Sequence, residues 1–124
     1  MSIQDIANAL VAGCREGTER ANLKTLYATD ATSVEAFDNG NGREAHGLAA
    51  IEGKHDWFES AMEVIEQTVS DPMLHGEDRF AVIFEVTAKD RESGAVIPMQ
   101  EVAIYTVTDG KISREEFFYQ APPS

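Results

Sequence analysis

Apolar residues near the start of the chain fall three and four positions apart: Ile3, Ile6, Ala7, Leu10, Val11 and Cys14. That spacing gathers them on one face and predicts a helix with a single buried stripe. Ahead of it, Ser2-Ile3-Gln4-Asp5 reads as a variant capping box. The Ser2 hydroxyl covers an orphan amide, and Asp5 reaches back where Glu is usual. Gly17 offers a stop. A shorter helix over residues 19–27 adds Leu23, Leu26 and Tyr27 to the same core, so the two read as a helical hairpin. A third helix is predicted over 48–62. Its stripe is Leu48, Ile51, His55, Phe58 and Met62, with Trp57 nearly opposite.

The period then changes. Residues 31–37 are strand-like, followed by Asp38-Asn39-Gly40-Asn41-Gly42-Arg43, a loop by composition. Strands are expected over 64–69, 80–89, 96–107 and 111–120, while Asp71–Gly76 reads as a turn. Asp90-Arg91-Glu92-Ser93-Gly94 and Thr108-Asp109-Gly110 are hairpin connections, the second with the Asp-Gly signal. Helices first and long strands afterwards argue for an α+β domain with an antiparallel sheet and helices on one face. One domain over 1–120 and a tail over 121–124 account for the chain.

The long strands carry large groups on both faces: Phe80, Val82, Phe84 and Val86 on one, Ile83, Glu85 and Thr87 on the other. One face covers the helices. The other leaves a partly apolar patch that a lone soluble monomer seldom tolerates, so a homodimer through the sheet is expected. Packing within an enlarged monomer core is the alternative.

Charge narrows the partners. Twenty-two acidic against ten basic residues give a formal charge of −12. Such a surface repels phosphate backbones and anionic membranes, so neither nucleic acid nor membrane is expected as a partner. No apolar run approaches the ~20 residues of a membrane span. Residues 1–5 lack the basic start and apolar block of a secretory signal, which sets a cytoplasmic expectation. Cys14, the one cysteine, excludes an intrachain disulfide and reads as a small core residue. The three histidines form no recognisable metal triad, and no P-loop, EF-hand, His-Glu-x-x-His or G-x-G-x-x-G motif is present.

Several segments together resemble the SnoaL-like family of the NTF2-like superfamily. They are Leu26-Tyr27-Ala28-Thr29-Asp30-Ala31-Thr32, the stretch from Gly47 through Phe58, and Val102-Ala103-Ile104-Tyr105-Thr106-Val107 with Asp109-Gly110-Lys111-Ile112 after it. The closing Arg114-Glu115-Glu116-Phe117-Phe118-Tyr119 belongs to the same pattern. The resemblance covers nearly the whole chain. It implies a cone, built from a curved antiparallel sheet, the N-terminal helical hairpin and a third helix, whose interior takes a small hydrophobic molecule. It also implies chemistry without a cofactor. The superfamily holds cyclases, isomerases, dehydratases, hydrolases, transport factors and members without known activity, so the fold alone does not fix a reaction.

The resemblance supplies the candidate site. Glu35 aligns with the general-base aspartate of ketosteroid isomerase, a distant relative. A carboxylate in an apolar cavity has its pKa raised towards the range where protons move. The first helix has no tyrosine for that enzyme's oxyanion hole, and Ala103 falls near its second aspartate. The same register turns Glu101 and Tyr105 inward, with Tyr105 offering a hydrogen bond to a carbonyl oxygen. Tyr119 joins them on the last strand, while Arg114 faces the expected dimer. His55, within the third-helix stripe, is a candidate proton relay beside Glu35 or Glu101. His46 reads as a rim or capping residue and His75 as a solvated turn residue.

Each candidate has a plain counterpart: an exposed strand glutamate, a packed aromatic, a satisfied core histidine. Two functions therefore stand side by side. One is a cofactor-independent isomerase or cyclase acting by proton transfer on a small hydrophobic carbonyl compound. The other is a non-catalytic ligand-binding or dimerisation module of the same fold.

Overall fold

A computed structural model describes residues 1–38 and 42–120. The Asn39-Gly40-Asn41 part of the expected loop and the tail over 121–124 lie outside the described residues. The elements in order are α1 (Ile3–Glu16), α2 (Glu19–Thr25), β1 (Tyr27–Val34), β2 (Glu44–His46), α3 (Leu48–Ala61), β3 (Met62–Val69), β4 (Met73–His75), β5 (Arg79–Asp90), β6 (Val96–Thr108) and β7 (Lys111–Phe118).

The capping box forms as the sequence predicts. The Asp5 amide donates to Ser2 Oγ at 3.1 Å and the Ser2 amide to Asp5 Oδ2 at 3.2 Å. Gly17 ends α1 with φ 76°, a left-handed conformation that costs glycine little. Ile6, Ala7, Leu10 and Val11 are buried, with Ile3 and Cys14 packed at the margin. Burying a side chain such as Leu10 contributes roughly 1.5–3 kcal/mol. α2 crosses close to α1: the Asn22 side chain lies where a Cβ on Gly13 would be, and its Nδ2 donates to the Leu10 carbonyl at 3.3 Å.

The sheet is open and curved, in the order β2-β1-β7-β6-β5-β3, with β4 paired to β5. Its pairs are antiparallel apart from β1 with β7, which run parallel and make the sheet mixed. The expected antiparallel sheet is corrected at this one junction. Strand direction between distant segments is set by the helices that intervene, not by local alternation. β1 also starts four residues earlier than predicted, because Tyr27 already pairs with Ile112. The Asp-Gly connection of β6 and β7 is the tight turn expected, with φ 52° at Asp109 and 76° at Gly110.

All three helices contact the strands; α1 lies against β3 and β5, α3 against β1, β2 and β3. The core between them contains Ile6, Leu10, Leu23, Ile51, Phe80, Val82, Tyr105 and Ile112. Of the predicted α3 stripe only Ile51 is fully buried; Leu48, His55, Phe58 and Met62 are half-buried, and Trp57 is exposed. α3 therefore lies at the margins of the sheet, where it meets β1, β2 and β3.

Candidate functional site

Strand register arranges the concave face in rows. Ser33 pairs with Glu115, Glu115 with Tyr105, and Tyr105 with Phe80. This first row is the floor, and all four residues are buried. Two residues along each chain, Phe117 pairs with Ala103 and Ala103 with Val82, and Glu35 continues β1 beside them. One step further come Tyr119, Glu101 and Phe84, with Glu101 paired to Phe84. Phe37 closes this outer row, its ring centroid 5.8 Å from that of Tyr119. Exposure rises from floor to mouth, while polar side chains occur in every row.

A hydrogen-bonded chain climbs through these rows. Tyr119 donates its hydroxyl proton to Glu35 Oε2 at 2.8 Å. Lys54 Nζ, reaching across from α3, stands 2.6 Å from Glu35 Oε1 and donates to Ser33 Oγ, also at 2.6 Å. Ser33 in turn donates to Glu115 Oε2 at 3.2 Å. The buried Tyr27 phenol lies near the same carboxylate. The Lys54 ammonium also sits 5.3 Å above the centre of the Phe117 ring. The Lys54 and Glu35 side chains keep 28% and 26% of their surface exposed, so their pair lies at the mouth rather than in the core.

Burial dominates the electrostatics deeper in. Glu115, only 5% exposed, has its pKa raised by desolvation, against the pull of the Tyr27 phenol, Lys54 and Ser33. Glu101 is pushed up to about 7, first by burial and then by repulsion from Glu35 and Glu115, with Lys54 opposing. Among the described residues no hydrogen bond or ion pair reaches the Glu101 carboxylate, so its bonding capacity is open. Burial likewise raises the phenols of Tyr27 and Tyr105 well above the ordinary value, which keeps both as hydrogen-bond donors.

Glu35, Glu101 and Tyr119 thus come together. Tyr105 lies lower, stacked on Phe80 at 4.9 Å and sealed into the floor. His55 does not join them. Its pKa is lowered by burial and by Arg20, and its other charged neighbours are Glu19, Glu59 and Lys54. The expected pair with Glu35 or Glu101 is therefore corrected: on a helix turning ~100° per residue, His55 faces α2 while Lys54 faces β1. Lys54 carries no signal in the apolar periodicity. Its spacing does hold one, since it follows the buried Ile51 by three positions and His55 follows by four. A lysine at such a margin lays its stem along the core and sends its charge to an acid.

His46 hydrogen-bonds Thr32 at 3.1 Å from the edge strand β2, and His75 lies exposed on β4. Arg114 pairs with Glu116 at 3.6 Å on its own strand. Two open surface clefts lie away from the cluster. One, of about 420 Å³, is bordered by Val34, Arg43, Arg114 and Glu116; the other, of about 450 Å³, lies between β3, β5 and β6. Among the described residues no three His, Cys, Asp or Glu side chains are grouped to hold a metal ion, and no helix is long and apolar enough to cross a membrane.

A curved sheet wrapped over three helices, with ionisable residues on its concave face, defines the cone-shaped NTF2-like class. The SnoaL-like domain model matches residues 1–119, and the chain belongs to that family. A Mesorhizobium loti protein, assigned provisionally to the SnoaL-like polyketide cyclases, is 31% identical over 96% of this chain and 100% of its own, with a TM-score of 0.89. A Xanthomonas campestris protein of unknown function with a cystatin-like fold is 18% identical over 98% of this chain and 92% of its own, TM-score 0.77. A Catenulispora acidiphila protein with a ketosteroid isomerase-like fold, solved with trimethylamine, is 18% identical over 97% of this chain and 88% of its own, TM-score 0.71. Among curated proteins no match is found.

Proposed function

We propose that this SnoaL-like protein is a cofactor-independent enzyme that moves a proton on a small hydrophobic carbonyl compound, in the manner of an isomerase or cyclase. The observation that carries the reading is the meeting of two unlike carboxyl groups at the mouth of the concave face. Glu35 is held by Tyr119 and Lys54, whereas Glu101 is unpaired and pushed up to about 7. Carboxyls set apart in this way can divide the work of base and acid near neutral pH. In this scheme Glu35 removes the proton, Glu101 supplies or receives one, and Tyr119 orients Glu35. Phe37, Phe84 and Phe117 give the substrate its apolar surroundings.

The same side chains also support a second reading, a binding module without turnover. Both Glu35 oxygens are already engaged, by Lys54 and Tyr119, so a substrate C–H would have to displace one of these partners to reach either oxygen. Deuterium wash-in separates the two. Wild-type protein should exchange the α-protons of a hydrophobic ketone such as 2-tetralone in D2O, and Glu35→Gln should not. Binding of the ketone without exchange by the wild type supports the module.

The assembly proposed with this function is a homodimer through the outer sheet face. There Ile83 pairs with Val102, and Val102 with Phe118, which is 45% exposed; Ile104 continues the patch beside Ala81. A cytoplasmic setting, with neither nucleic acid nor membrane as partner, completes the proposal.

A further inference from the structure

The isomerase-like scheme needs a group that holds the carbonyl oxygen while charge develops on it, and Tyr105, which the sequence offers for that role, is locked in the floor. We propose that Lys54 is this group: its ammonium binds the substrate oxygen and carries the charge of the enolate. The proposal rests on the proton-transfer reading above and adds to it a residue and a ligand class.

The acidic C–H of a carbonyl compound lies on the carbon next to the C=O, so a base and an oxygen holder serving one substrate must themselves be neighbours. Lys54 Nζ and Glu35 Oε1 are 2.6 Å apart. The ammonium is also preorganised. Ser33 accepts from Lys54 and donates to the buried Glu115 carboxylate, so buried groups fix the ammonium before any ligand arrives. Glu35 and Ser33 engage two of its three N–H bonds. No hydrogen bond occupies the third among the described residues; beside it lies the Phe117 ring, its centre 5.3 Å away, which an oxygen ligand would displace or share. The Lys54 side chain retains 28% exposure and so stands where a ligand can reach it.

The step balances without an added reagent. The C–H proton goes to the Glu35 carboxylate, the C–H electron pair becomes the enolate π-bond, and the carbonyl π-pair becomes the charge on oxygen beside Lys54. The proton returns to the same or a conjugated carbon as the enolate collapses. The ligand class is a neutral enolisable ketone or ester, and its stable mimic is a phenol that ionises on binding.

That mimic supplies the test. 2-Naphthol is titrated into wild-type, Lys54→Met and Lys54→Arg proteins at about pH 7, and the bound naphtholate is read from its absorbance and fluorescence. Circular dichroism confirms the fold of each variant. The wild type should bind naphtholate; Lys54→Met should lower the ionised fraction about tenfold or more, and Lys54→Arg should retain most of it. 2-Methoxynaphthalene, which cannot ionise, should bind wild type and Lys54→Met alike. Absence of naphtholate from the wild type, an unchanged fraction in Lys54→Met, or a parallel loss of the methoxy compound would overturn the assignment. 2-Tetralone exchange keeps the two proposals apart. Full exchange by Lys54→Met with none by Glu35→Gln removes Lys54 and leaves the base; full exchange by Glu35→Gln removes the base, while naphthol still reports on Lys54.

Discussion

Lys54 Nζ lies 2.6 Å from Glu35 Oε1 and 2.6 Å from Ser33 Oγ, so one ammonium ties a carboxylate at the mouth of the concave face to a hydroxyl on its floor. Lys54 also opposes the raised pKa values of Glu101 and Glu115. Replacing it with methionine leaves these acids facing one another without compensation. Lys54→Met should cost about 1–3 kcal/mol at pH 8. The cost should be smaller at pH 5.5, where Glu101 is protonated. Urea melts at the two pH values check this; equal losses at both would count against it.

Glu101 gives a prediction of opposite sign. Its carboxyl is pushed from 4.5 to about 7 in the folded protein, so the fold holds this proton more tightly than the unfolded chain does. Its contribution to stability is full below pH 4.5 and is lost as pH rises through about 7, a fall of about 3 kcal/mol. Glu101→Gln keeps the shape without the charge. It should be more stable than wild type at pH 8 and close to it at pH 4.5, measured by urea unfolding. A variant less stable than wild type at pH 8 would mean that Glu101 gains more from its neighbours than burial costs it.

Cys14 should be inert in the native state. Burial, with repulsion from Glu19 and Glu115, pushes its thiol up to about 12 from 9.0. At pH 8 the thiolate, the reactive form, should be depleted roughly a thousandfold relative to an ordinary thiol. Reaction with a disulfide reagent should be correspondingly slow in buffer and prompt in denaturant. Prompt reaction in buffer would place the thiol in water.

The outer sheet face predicts the assembly. Val102→Glu with Phe118→Glu puts two charges into the patch that Ile83 and Ile104 continue. Sedimentation should give twice the monomer mass for wild type and the monomer mass for the double variant. A wild-type monomer would remove the dimer.

The helical hairpin, α3 and the long strands were legible because each carries a sustained period. Ile6, Leu10 and Val11 repeat at helical spacing, and Phe80, Val82 and Phe84 at strand spacing. β2 and β4 were not legible. Each is three residues long and owes its conformation to a neighbour, Thr32 to Val34 for β2 and Arg79 to Ala81 for β4. The direction of β1 against β7 was hidden for a related reason, since a parallel pair between distant segments leaves no local mark. In the site, strand alternation put Glu101 and Tyr105 on one shared face, and the register of the resemblance turned that face and Tyr119 inward. Glu115, two and four residues before Phe117 and Tyr119 on the same strand face, follows from the same period. The helix was less exact. Lys54 and His55 flank the same apolar stripe, and which of them meets β1 depends on how α3 rolls over the sheet.

The most direct test of the account is deuterium incorporation at the α-carbon of 2-tetralone by wild type and by Glu35→Gln, at equal concentration and with both shown to be folded. Incorporation by the wild type with a loss of roughly a hundredfold or more in Glu35→Gln is the predicted result. Equal rates in the two proteins would contradict it.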